Sequence, residues 1–193
     1  MVSDKSNLPI ISFRFPAEWD AWLVENHAKS SGIWLQIFKK DSGHQTISYA
    51  EVLDEALCHG WIDGQKKSFD AVSWLQKFTP RRPKSIWSKI NTGHVARLHQ
   101  QKKMKPAGLA AVEAAKSDGR WQAAYDPAGK AVIPKDFLDQ LGKNKKAMVF
   151  FGTLNKTNLY SIAWRLQTAK KPETRVRRMK IILAMLAKGK KFH

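Results

Sequence analysis

Cysteine is almost absent from this sequence, with Cys58 alone among 193 residues. That excludes an internal disulfide framework and any site built from several thiolates, and it fits a reducing compartment. Long apolar runs are missing too, since no stretch approaches the roughly 20 residues that span a bilayer as helix. The segment from Met1 to Pro9 is polar where a secretory signal carries an apolar core, so a cytoplasmic protein without a transmembrane segment is expected. Walker loop, dinucleotide fingerprint and G-x-S-x-G elbow are all lacking. His94 and His99 lie five apart, not the four that put two imidazoles on one helical face, and no cysteine or carboxylate cluster joins them. Neither a metal nor a cofactor is therefore expected.

Negative charge is the other scarcity, at 16 Asp/Glu against 34 Lys/Arg and a formal charge of +18. The imbalance is uneven. Residues 1–60 carry 5 Lys/Arg and 8 Asp/Glu, residues 61–121 carry 13 and 4, and residues 122–193 carry 16 and 4. Basic character thus begins at Trp61, and such asymmetry points to polyanions or anionic ligands as partners, or to a lysine-rich solvated surface. A hydrophobic content of 43% with 10% aromatics is globular, and the length suits one medium core, or one core with a helical appendage.

Pro16 opens a helix carrying Trp19, Trp22, Leu23 and Asn26, which ends at Ser30-Ser31-Gly32. The stretch GIWLQIFKK reads as a strand covered on both faces, because Trp34 and Phe38 are as apolar as Ile33, Leu35 and Ile37. Ser48 and Glu51 form a capping box with Ile47 and Val52 as its hydrophobic staple, and Gly60 stops that helix. WIDGQKK and VSWLQKF read as antiparallel strands. From Ser85 onward the pattern is helical: Trp87, Ile90, Val95 and Leu98; an alanine-rich helix from Pro106 to Asp118-Gly119; Pro134 to Leu141; Asn144 to about Leu154; Asn158 to Thr168; and a last amphipathic helix from Pro172 with Val176, Met179, Leu183 and Leu186 inward. The expected fold is α+β, a small antiparallel sheet flanked by helices in residues 1–125, followed by a helical C-terminal section, residues 126–193, packed on it.

The sharpest chemical candidate is TPRRPKSIWSKIN. Prolines stiffen the chain around Arg81 and Arg82, and Ser85 stands where a helix is expected to begin, with its first N–H groups unsatisfied. Guanidinium forks, Lys84 and the hydroxyls of Ser85 and Ser88 would then converge as in a phosphate or carboxylate pocket, with Asp63, Trp61, Trp87 and Asn91 as neighbours. The plainer reading makes Ser85 an ordinary N-cap and pairs the arginines with Asp63 or Asp70. Trp61, Trp74 and Trp87 could stack a planar ligand, though a core role is the general rule for tryptophan. Cys58 beside His59 invites a nucleophile, but the end of a helix disfavours a thiolate, and a buried structural thiol is the expectation. Asp63 stays open as turn former, arginine partner or general base. Lys171, Arg175 and Arg178, with Arg177 beside them, lie along the last helix as a nucleic-acid stripe, a solvated face or a lipid-facing surface.

EALCHGWIDGQKKSFD, FTPRRPKSIWSKIN, KMKPAGLAAVEAAKSDGRW and TAKKPETRVRRMKIILAMLAKGKKFH occur in order, and in content and spacing they resemble the YdeI/OmpD-associated (bacteriocin-protection) family. The resemblance implies protection against bacteriocins or cationic antimicrobial stress and association with an outer-membrane porin, and it carries over no catalytic residues. Three functions are expected in turn: stress tolerance through a small anionic or phosphate-bearing ligand held in the basic pocket, nucleic-acid association through the C-terminal cations, or an enzyme using Asp63 with a basic partner.

Overall fold

Buried Ile33, Leu35 and Ile37 on β2 (Ile33–Phe38) and Leu75 and Phe78 on β4 (Ser73–Pro80) lie at the centre of a four-stranded sheet ordered β1-β2-β4-β3, with β1 at Ile10–Ser12 and β3 at Trp61–Ser68. This is seen in a computed structural model of the chain, which describes residues 8–191. Those residues divide into two compact units, one of residues 8–85 and 91–122, the other of residues 86–90 and 123–191.

The sheet lies in the first unit. β2 and β3 both pair antiparallel with β4, Ile33 facing Phe78 and Trp61 facing Pro80. β1 differs from the expected antiparallel order, because it runs parallel to β2 with Ile10 opposite Trp34. The physical reason is the connection: α1 (Pro16–Asn26) carries the chain from β1 back to the same end of the sheet, so β2 returns in the same direction. Three residues with no alternation gave β1 no signature. The β3–β4 hairpin is closed by Asp70, whose Oδ1 accepts from the backbone N–H groups of Val72 and Ser73 at 2.9 and 2.6 Å and from the Ser73 hydroxyl at 2.8 Å.

One face of the sheet is covered by α1 and α2 (Tyr49–Cys58). The capping box of α2 is formed as expected, Ser48 Oγ accepting from Glu51 N at 3.3 Å and Ser48 N donating to Glu51 Oε2 at 2.9 Å. Trp19, Leu23, Val52, Leu57, Trp61 and Phe78 make the core beneath these helices. Trp19 stands at its centre, its ring 5.3 Å from Phe13, 6.1 Å from Trp61 and 6.0 Å from Phe78, with Nε1–H donating to Val52 O at 3.1 Å.

α3 (Lys89–Gln100) begins four residues later than expected. Pro83 occupies the second place of a turn closed by Ser85 N donating to Arg82 O at 2.9 Å, and that geometry holds Ser85 outside any helix. α4 (Pro106–Ser117) then packs its first turn against the last carbonyls of α2, Lys105 N donating to Cys58 O at 3.2 Å.

In the second unit, α5 (Lys135–Leu141), α6 (Lys145–Gly152), α7 (Lys156–Gln167) and α8 (Pro172–Ala187) bury Phe137, Leu141, Ala147, Ile162, Leu166, Ile182 and Leu186. Asn144 and Asn155 cap α6 and α7 through their side chains, which starts α7 earlier than its apolar spacing suggests. α8 buries Ile182 and Leu186 and packs Met179 and Leu183 against the same core, as expected, while Val176 is 51% exposed.

Candidate anion-binding site

Where β4 ends, the chain presses close to the segment before β2. Gly32 has φ +141, and a Cβ on it would lie 2.7 Å from Phe78 O and 2.8 Å from Thr79 Cγ2. Only glycine accommodates both the backbone and the contact, and the result sets Ser31 beside Thr79. Arg81 N donates to Gly60 O at 3.0 Å, fixing the chain as it leaves Pro80, and the Arg82–Ser85 turn follows. A cleft of about 220 Å³ opens here, lined by Leu8, Ser31, Lys77, Thr79, Pro80 and Arg82. Two cations and two hydroxyls thus face one space, with no carboxylate among the described residues that line it.

Of the expected residues, Arg82 lines this cleft. Its guanidinium is exposed, and no described carboxylate lies within ion-pairing distance of it. Arg81 is half-buried and holds interactions of its own, and it is not among the described residues lining the cleft. Lys84 is exposed in the turn. The Ser85 carbonyl accepts from Arg120 Nη1 at 2.9 Å. Ser88, Trp87 and Asn91 are placed otherwise than expected: Trp87 and Ser88 are buried at 2% and 9%, Tyr125 N donates to Trp87 O at 3.0 Å, and all three residues already hold interactions. Neither Ser85 nor Ser88 is among the described residues lining the cleft.

Trp61 is corrected from pocket neighbour to core, being 1% exposed with Nε1–H donating to His27 O at 3.1 Å. Trp74 and Trp34 are half-buried on opposite faces of the sheet and already carry cations, Lys66 Nζ 4.0 Å from the Trp74 ring and Lys67 Nζ 4.2 Å from that of Trp34. Asp63 accepts from Tyr49 Oη–H at 2.8 Å. Burial, and then the Asp63 charge, hold the Tyr49 phenol protonated well above its ordinary value, so the Asp63 partner is a neutral donor rather than the basic group an acid–base pair calls for. Asp70 serves the hairpin, as described.

Lys77, Thr79 and Ser31 escaped sequence reasoning. Lys77 and Thr79 are two apart on a strand and so share a face, a signal the sequence does carry. Ser31 joins them only through the Ile33–Phe78 register.

Of the C-terminal cations, Arg175 forms a two-pronged pair with Asp136, and Arg178 Nη1 donates to Arg165 O at 2.7 Å. Lys171 and Arg177 remain exposed. Half of the expected nucleic-acid stripe is spent inside the second unit. His94 Nδ1 lies 3.2 Å from Asp54 Oδ1, where Arg97 also binds, and His99 is exposed.

Cys58 is buried, and its thiol is pushed up to about 12, first by desolvation and then by Glu55, which leaves no thiolate at neutral pH. His59 is 4% exposed, with Nε2 2.7 Å from Asp20 Oδ1. Burial lowers its pKa below the ordinary 6.5 against the pull of Asp20, with His27 and Lys105 also disfavouring charge. The unfolded chain therefore takes up this proton more readily. This contribution to stability is full above pH 6.5 and is lost as pH falls through the lowered folded value. Urea midpoints at about pH 7.5 and about pH 5.5 should differ more in the native protein than in His59→Gln; an equal difference in the variant would contradict the assignment.

No described helix is long and apolar enough to cross a membrane. Searches of curated proteins and of solved structures give no match. Residues 130–189 match the family model described as bacteriocin-protection, YdeI or OmpD-associated, which covers the C-terminal part of the expected resemblance. The WIDGQ and TPRRPKS motifs and every cleft residue but Leu8 fall under a second model, over residues 11–111, so that the chain belongs to the family described as Domain of unknown function (DUF8412).

Proposed function

We propose that this is a bacteriocin-protection-type protein whose first unit binds a small phosphate- or carboxylate-bearing ligand between Arg82, Lys77, Thr79 and Ser31. The observation that carries the reading is the composition of the cleft, in which a guanidinium that no described carboxylate pairs and an ammonium line about 220 Å³ together with two hydroxyls. Such a donor set recognises an oxyanion by charge-assisted hydrogen bonds. The protective theme rests on the match over residues 130–189; porin association belongs to the name of that family.

Calorimetric titration with inorganic phosphate at low salt tests it. Saturable binding is expected, weakened about 10- to 100-fold in Arg82→Ala, the range set by losing a charged hydrogen bond. Lys77→Ala should weaken it less, because that ammonium already sits 5.8 Å from the Trp34 ring. Heats that never saturate, or that are the same in Arg82→Ala, would overturn the proposal.

A further inference from the structure

α3 ends in a turn that ordinarily takes glycine. Lys102 N donates to His99 O and Lys103 N to Leu98 O, each at 3.0 Å, the paired bonds of a Schellman ending. That places Lys102 at φ 58, the left-handed region, which among the described residues no other non-glycine occupies. A lysine is costlier there than a glycine, and Lys102 is exposed.

Lys102, Lys103 and Lys105 line a cleft of about 350 Å³ together with Asp20 of α1 and Glu55 of α2. Asp20 is fixed from behind by the buried His59, and Lys105 Nζ approaches it to 3.7 Å. Glu55 is half-buried, and desolvation and then the Asp20 charge push its carboxyl above the usual range. Lys102 and Lys103 are exposed, with no described carboxylate within ion-pairing distance of either. The volume is at the small end of ligand sites, about 300–1,000 Å³.

The charges decide the ligand class. A simple anion entering this cleft meets two carboxylates, and a simple cation meets three ammonium groups. A molecule bearing both signs a few bonds apart satisfies both sets and relieves the repulsion between Asp20 and Glu55. We propose that the cleft binds a small zwitterion of the α-amino acid type, its ammonium on Asp20 and Glu55 and its carboxylate on Lys102 and Lys103. None of these residues lines the Arg82 cleft.

The test is a titration of the full chain with glycine, followed by amide chemical shifts, with methylammonium and acetate as the two half-ligands. Glycine should saturate, and each half-ligand should bind at least about tenfold more weakly. Glu55→Gln and Lys103→Ala should each weaken glycine about tenfold or more. They are cleaner variants than Asp20→Asn, which also strands His59. Arg82→Ala should leave glycine binding unchanged, so the two clefts fail or succeed independently. Lys102→Gly should raise the Tm while weakening glycine binding, a pairing of opposite effects that a merely structural lysine would not give. Amide shifts around Asp20, Glu55 and Lys103 that do not saturate, that acetate moves as readily as glycine, or that are undiminished in Lys102→Gly would each overturn the proposal.

Discussion

Gly108→Ala is expected to destabilise the first unit by about 3 kcal/mol or more, the upper range for forcing extra atoms into a packed contact. A Cβ on Gly108 would lie 2.1 Å from Cys58 O, 2.8 Å from Cys58 C and 2.8 Å from Leu57 O. All three are backbone atoms, so no side chain can swing aside. Relief would require α4 to withdraw from α2, breaking the Lys105 N to Cys58 O bond and unseating Gly60, whose own Cβ position is 2.9 Å from Ala107 O. The close approach has its own cause: the electronegative end of α2 meets the electropositive start of α4, where Cys58 O accepts from Lys105 N. Gly93 provides the control. It lies within α3 with nothing within 4 Å of its Cβ position, and Gly93→Ala should leave stability unchanged or raise it by up to about 1 kcal/mol. Urea denaturation of the pair decides the matter, and equal midpoints would refute the claim that the α2–α4 crossing depends on Gly108.

Trp19→Ala should cost about 4 kcal/mol, in the range for removing a fully buried large aromatic. Its ring is wholly excluded from solvent and stacks on Trp22 at 5.3 Å with 17° between planes, while Trp61 meets it edge-on at 83°. Losing it removes the apolar burial, these ring contacts and the Nε1–H bond to the Val52 carbonyl. Trp19→Phe should recover much of the packing but not the hydrogen bond. A loss in Trp19→Ala no larger than in Trp19→Phe would show that the ring is not the centre of this core.

What the sequence makes legible is what neighbours in the chain decide among themselves. The Ser48–Glu51 box, the proline starts of α1, α4 and α8, and the glycine stop at Gly60 all rest on contacts within four residues, and each stands where reading the sequence places it. β1 was not legible, because its pairing depends on a crossover helix rather than on its own three residues. The start of α3 was misplaced because Pro83 can open a helix or sit in a turn, and the Arg82–Ser85 bond selects the turn. The same limit governs the sites. Arg82 could be singled out by its proline frame, whereas Ser31 reaches it only through strand register. Arg175 and Arg178 look available in sequence because Asp136 and the Arg165 carbonyl, which engage them, lie 39 and 13 residues away. Asp20, Glu55 and Lys103 come from three separate elements, and no spacing rule links them.

The anion cleft is the claim on which the functional account turns, and amide chemical-shift mapping during a phosphate titration addresses it most directly. Gly32, Thr79 and Arg82 should shift together and saturate in the native protein and stay still in Arg82→Ala. Shifts that instead spread over the exposed lysines without saturating, or that centre on Lys171 and Arg177, would contradict it.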